Sequence, residues 1–135
     1  MTAAWVRRGA TALAAARTAI GVAALASPAL IARPWVGAAA HEAPARVLGR
    51  ALGGRDLALG LGALAALARP APASAALWVG AGALADSLDV LATRAAWDEL
   101  PAIGRWLVAM SAGGAAVVGG AAAWSLIAGE AADES

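Results

Sequence analysis

Apolar residues fill this chain in four long stretches, and the charges that interrupt them recur at related places. The last stretch, Leu107 to Ala128, carries no charge at all, and a membrane-crossing helix needs about 20 such residues. The first runs from about Gly9 to Ala32, is interrupted only by Arg17, and is closed by Arg33-Pro34. Between them lie two composite segments. One begins near Ala45, carries Arg46, Arg50, Arg55 and Asp56, and is then apolar from Leu57 to Ala68. The other is apolar from Ala73 to Ala85 and then carries Asp86, Asp89 and Arg94. Arg69-Pro70-Ala71-Pro72 reads as a tight turn between these two, because proline stops one helix and starts the next. The pattern predicts helices over about 9–32, 45–69, 73–94 and 104–128, followed by a disordered acidic tail over 129–135 that holds Glu130, Asp133 and Glu134.

The expected fold is all-α, a single membrane domain over 1–135. It is an integral membrane four-helix bundle running up-down-up-down, with both termini on the same side. The clean halves of the second and third segments meet at the proline turn, so their charged halves meet at the opposite end, as in an antiparallel hairpin. At about 1.5 Å per residue, Arg50 falls level with Asp89, and Arg55 with Asp86. Tryptophan supports this layout. Trp5, Trp78 and Trp124 fall toward one face, while Trp35, Trp97 and Trp106 lie in or beside the other loops, as an interfacial aromatic belt requires. Orientation is poorly determined, since Arg7, Arg8 and Arg69 stand against Arg33, Arg46, Arg94 and Arg105. So weak a bias also permits insertion both ways and antiparallel dimers.

Composition narrows the function classes. Hydrophobic residues make up 61% and charged residues 14%, where soluble domains carry about 25% charged. There is no cysteine, which removes disulfides and thiolate chemistry. A single His41 does not make a metal site. A net charge of +1 with no basic stripe leaves no case for nucleic acid. Arg7-Arg8, an apolar stretch and Ala24-Leu25-Ala26 before Ser27 resemble a secretory signal. Arg17 in the middle of its apolar region favours an uncleaved first membrane helix instead. Ser87 and Ser111 have no His or Lys base in their own helices, so no nucleophile is expected. His41-Glu42 and Asp98-Glu99 read as solvated loop charge. No enzyme activity, cofactor or metal is expected. The partners expected are the lipid bilayer and a second copy or a membrane complex, and the location is the cell membrane as a multi-pass protein.

The intramembrane charges are the candidate site, because such groups are costly in lipid and persist when paired or put to use. Helical spacing places Gly49, Gly53, Asp56 and Gly60 on one stripe, and Gly82, Asp86, Asp89 and Thr93 on another. Arg17 and Gly21 lie one turn apart. Small residues let helices approach closely in lipid, so these stripes read as helix contacts. Gly113-Gly114 and Gly119-Gly120 in the last helix lack an ionisable partner and suit a dimer face. The candidate buried polar cluster is Arg17, Arg50, Arg55, Asp56, Asp86 and Asp89, and the packing glycines are Gly21, Gly49, Gly53, Gly60 and Gly82. Arg55 stands about 140° from Arg50, so both cannot face one neighbour. Arg55 either meets Asp86 or turns toward the loops. Arg17, roughly 11–12 Å deep, either bridges to Asp86 or Asp56 or snorkels to the headgroups.

Gly54-Arg55-Asp56-Leu57-Ala58-Leu59-Gly60-Leu61, with the downstream Ala85-Asp86-Ser87-Leu88-Asp89, resembles the small four-helix integral membrane proteins of unknown function allied to the DoxX-like group. Those proteins share a Gly-x-Arg-acidic-x-x-x-Gly-Leu stretch in the second helix and an acidic residue in the third. The resemblance covers roughly residues 10–128. It implies a four-helix membrane bundle and no assigned activity. DoxX itself is linked to quinone-reactive oxidases, although no residue here matches known quinone or haem chemistry.

The expected role is structural or accessory, with the Arg/Asp cluster as an ion-pair lock on helix register. The alternatives are a small proton-coupled exporter and an accessory subunit of a quinone-linked membrane redox enzyme. A lock needs Arg–carboxylate contacts and no cavity, and an exporter needs a wide polar cavity. A quinone subunit needs an apolar cleft that ends at the cluster.

Overall fold

The structure, a computed structural model, describes residues 3–133 and is all-α. Helix α1 spans Ala3–Ala26 and α2 spans Pro28–Val36, followed by a 3-10 turn over Gly37–His41. Helices α3, α4 and α5 span Ala43–Leu67, Pro72–Ala95 and Ala102–Asp133. Three of these are long and apolar enough to cross a membrane, over Ala4–Ala26, Pro72–Ala95 and Ala102–Gly129. Helix α3 is long enough, but every stretch of 18 residues within it contains Arg50, Arg55 and Asp56.

Two expectations are corrected. The first helix does not run unbroken over 9–32 to a stop at Arg33-Pro34. It breaks at Ser27, whose φ of −138° and ψ of 67° are not helical, and restarts at Pro28. Proline disfavours the helical region for the residue before it, lacks an N–H, and fits the first turn of the next helix. Pro34 instead lies inside the short α2. The expected disordered tail is also helical as far as Asp133, because α5 continues past Ala128. Residues 134 and 135 lie outside the described residues.

Size is distributed in reverse of a water-soluble protein. The buried hydrophobic residues are mainly alanine with a few Val and Leu, and the largest fully buried side chain is Thr93. Large apolar side chains face outward. On α5 Ile103, Met110, Val117 and Trp124 form one exposed stripe at steps of seven, with Ile103 85% and Trp124 74% exposed. Leu77, Leu84, Leu88 and Leu91, at steps of seven, four and three, form another on α4. In water such a surface would drive association. In lipid it is the solvated face, and close packing of small residues holds the helices together.

The helices associate most closely as two pairs, α1 with α3 and α4 with α5. The first pair is built on glycine. A Cβ at Gly21 would lie 2.8 Å from the Gly53 carbonyl oxygen, and one at Gly53 would lie 2.8 Å from the Ala24 Cβ. One at Gly60 would lie 2.9 Å from the Ala14 carbonyl oxygen. Pro28 rests against Gly49, and the Arg7 guanidinium donates to the Leu67 carbonyl. In the second pair Gly119 faces Ala83, Gly80 faces Ala123 and Gly113 faces Val90. Between the pairs Trp78 lies over Gly62. A dry core of Val6, Ala10, Ala14, Ala63, Ala75 and Leu126, with neighbours of similar size, fills the end beside the Ala68–Ala71 turn. At the other end the start of α5 is tied to α2, where Gly104 admits the carbonyls of Pro34 and Trp35. Trp97 and Trp106 meet edge to face there at 5.0 Å.

Candidate functional site

Five charged side chains converge near the middle of α1, α3 and α4. Arg17 is 9% exposed and donates three hydrogen bonds to the two other helices. Its Nη1 donates to Asp56 Oδ1 of α3 at 3.0 Å, and its Nη2 donates to Asp86 Oδ2 of α4 and to the Gly82 carbonyl at 3.2 Å. Gly82 matters here because it has no side chain: a Cβ would sit 3.3 Å from Arg17 Nε. The stripe spacing therefore has a second use, as room for a guanidinium laid across the α4 backbone.

Arg55 completes the network. It reaches its sequence neighbour Asp56 through Nε at 3.1 Å and Nη2 at 3.0 Å. It also forks onto Asp89 of α4, Nη1 to Oδ1 at 2.9 Å and Nη2 to Oδ2 at 2.8 Å. A planar fork on both carboxylate oxygens is the strongest geometry such a pair has. Thr93 Oγ1 donates to the Asp89 carbonyl, and Ser87 and Ser111 bond back to carbonyls in their own helices.

The structure thus decides between the alternatives for Arg17, which bridges to both Asp56 and Asp86 and does not snorkel. It corrects the expected partner of Arg55. Arg55 meets Asp89 rather than Asp86, and Arg17 takes Asp86. A long arginine side chain covers the one-turn difference, so Cα depth alone does not choose the partner. Arg50 is a second correction: it is exposed and makes no ion pair among the described residues. Since Arg55 faces α4, the 140° offset turns Arg50 out of that contact. Of the glycines, Gly21, Gly49, Gly53 and Gly60 lie between α1–α2 and α3, while Gly82 seats Arg17.

The bridges to Asp86 and Asp89 join the α1/α3 pair to the α4/α5 pair, where helix contacts are sparser. The opening between the pairs is a cavity of about 430 Å³ on the α2 side of the network. Arg17, Arg55, Asp56, Asp86 and Asp89 form its polar end. Its walls are apolar and include Ile20, Pro28, Trp35, Leu52, Leu107 and Val108. Nothing in the sequence marks Trp35, Leu107 or Val108 as lining residues. The Ser27-Pro28 break was the one available clue that a short helix folds across this space.

Two arginines and three aspartates give the network a formal charge of −1. Two carboxylate oxygens, Asp56 Oδ2 and Asp86 Oδ1, accept no hydrogen bond from the described residues. The only fully buried side-chain nitrogens or oxygens without a partner among those residues are Trp35 Nε1 and Arg105 Nε. Both aspartate oxygens are therefore open to a water-sized probe, and both residues line the cavity.

No family model matches this chain, and searches of curated proteins and of solved structures return no match either.

Proposed function

We propose that this chain is a non-enzymatic, four-span membrane protein that holds an amphiphilic small molecule between its two helix pairs. In this role it serves a membrane complex or a second copy of itself as an accessory component. The observation that carries the reading is the apolar cavity that ends on a network of paired charges. A lock alone has no use for a cavity, and an open polar channel would not be lined by Ile, Leu, Val, Pro and Trp. A site of about 430 Å³ is within the usual 300–1,000 Å³ of small-molecule pockets, where apolar walls bind and a few polar groups orient.

The fourth span in this reading is α3. Its charges do not forbid a membrane, because Arg55 and Asp56 are paired inside the protein and the exposed Arg50, about two turns from the start of α3, is within snorkelling reach of the headgroups. The contacts support an up-down-up-down course. Those of α1 with α3 run in opposite chain order, from Arg7–Leu67 to Gly21–Gly53. Those of α3 with α4 run from Gly62–Trp78 to Arg55–Asp89, and those of α4 with α5 from Gly80–Ala123 to Gly113–Val90. That course brings both termini to one side. The resemblance of the Arg55-Asp56 stretch to the DoxX-like group adds to the same reading.

Native mass spectrometry of the protein purified in a delipidating detergent tests the proposal. The wild type should retain one amphiphile per chain. Ala112→Phe, which places a ring in the cavity wall, should unfold at an unchanged temperature and retain none. A wild type that releases everything as readily as the variant would sink the reading.

A further inference from the structure

We propose that the amphiphile is a lipophilic amine bound in its protonated form, with its ammonium group on Asp56 and Asp86 and its hydrocarbon along the α2 and α5 walls. The inference rests on the amphiphile reading and names the chemistry of the head group. Three observations carry it, and they are independent of one another.

The first is charge. Arg17 and Arg55 supply two positive charges against three negative ones, and the surplus lies near the middle of three helices, at the end of an apolar cavity. An uncompensated charge in such a place is costly, and a cation at the same spot removes the cost. The second is hydrogen-bond capacity. Arg55 already donates from Nε, Nη1 and Nη2, and Arg17 from both terminal nitrogens. The carboxylate acceptors still free are Asp56 Oδ2 and Asp86 Oδ1, on side chains that are themselves largely buried, Asp86 being 7% exposed, and against them, among the described residues, stand only two unengaged donors, Arg17 Nε and the Trp35 indole N–H, the latter buried in the wall. A carboxylate or phosphate head would add to the surplus negative charge. A quinone carbonyl would meet a floor whose arginine donors are largely engaged. An ammonium brings up to three donors and no acceptor, which is the complement of this floor. The third is shape. Two open oxygens are too few for a bare metal cation such as calcium, which takes 6–8 oxygen ligands. The remaining walls are apolar and suit a hydrocarbon body.

The test uses the full chain in lipid nanodiscs, with empty discs as background, and three tritiated probes that share one tail: dodecylamine, dodecanol and dodecanoate. At neutral pH dodecylamine is protonated, as a lysine ammonium is. It should bind saturably, one per chain, and about tenfold or more tighter than dodecanol, the effect of gaining charged hydrogen bonds. Dodecanoate should not bind saturably. Asp86→Asn makes the network formally neutral and should bring dodecylamine down to the affinity of dodecanol, as should Asp56→Asn. Arg50→Ala, outside the site, should leave all three unchanged. If one aspartate variant fails to fold, the other and the wild-type probe series still decide. Equal affinity for dodecylamine and dodecanol, as expected if a proton balances the charge, overturns the amine inference and leaves the amphiphile site standing. Saturable binding of dodecanoate overturns it as well. No saturable binding of any probe overturns both.

Discussion

Arg17 holds two aspartates on two different helices, so its loss is felt twice. Removing it would leave Arg55 alone against three carboxylates, with Asp86 lacking any guanidinium and Asp56 keeping only Arg55. Breaking a buried pair by deleting one partner costs about 3–5 kcal/mol, because the partner stays behind uncompensated. Arg17→Gln should therefore lower stability by that order in detergent unfolding curves. Arg17→Gln with Asp86→Asn should recover part of it, giving a favourable coupling energy in a double-mutant cycle. Additive effects would show that the two side chains do not interact. Arg50→Gln is the matched control, since that side chain is exposed, and should change stability by about 0.5 kcal/mol or less. Residue by residue, the participation of Arg55, Asp56, Asp86 and Asp89 is readable without coordinates, since charges in apolar runs stand out. Which arginine serves which carboxylate is not, because a shift of one turn lies within the reach of an arginine side chain.

Among the elements, α1 and α3 depend on glycine and α4 depends on it once, at Gly82. Gly60→Leu should separate α1 from α3, since even a Cβ there meets the Ala14 carbonyl oxygen and Thr18. Overpacking of this kind costs about 1–3 kcal/mol or more. It should appear as reduced accumulation in the membrane and a lower unfolding temperature. Gly54→Ala and Gly120→Ala, where an added Cβ meets nothing within 4 Å, should be neutral by the same two measures. If Gly60→Leu proves as stable as these controls, α1 and α3 are not packed at Gly60. The glycine stripes of α3 and α4 follow from spacing alone. The partner of each stripe does not: Gly49, Gly53 and Gly60 all face α1 or α2, so the glycine-lined face of α3 is turned away from α4. The α3–α4 neighbours joined by the short proline turn are the looser contact, bridged at mid-height by one ion pair, Arg55–Asp89.

For the whole molecule, the absence of cysteine makes topology directly testable, because any cysteine introduced is unique. If α3 crosses the membrane, Glu42→Cys and Asp98→Cys should be reached by an impermeant maleimide in equal fractions from a given side. Arg69→Cys should be reached in the complementary fraction, whichever way the chain inserts. Labelling of Glu42→Cys and Arg69→Cys from one side that is nearly complete for both, or nearly absent for both, would remove α3 from the spans. The sequence by itself determined the all-α character, three helices long and apolar enough to cross a membrane and the presence of charges within apolar runs, since these follow from composition and period, which are local properties. Only the tertiary structure decided that α2 folds across the opening, that Arg50 lies outside the network, and that the end beside the 68–71 turn is packed with alanine while the other end is hollow. Each depends on how whole helices are rotated and spaced, and a few ångströms between two helix pairs, which no local pattern encodes, separate a closed ion-pair lock from a lock that floors a cavity.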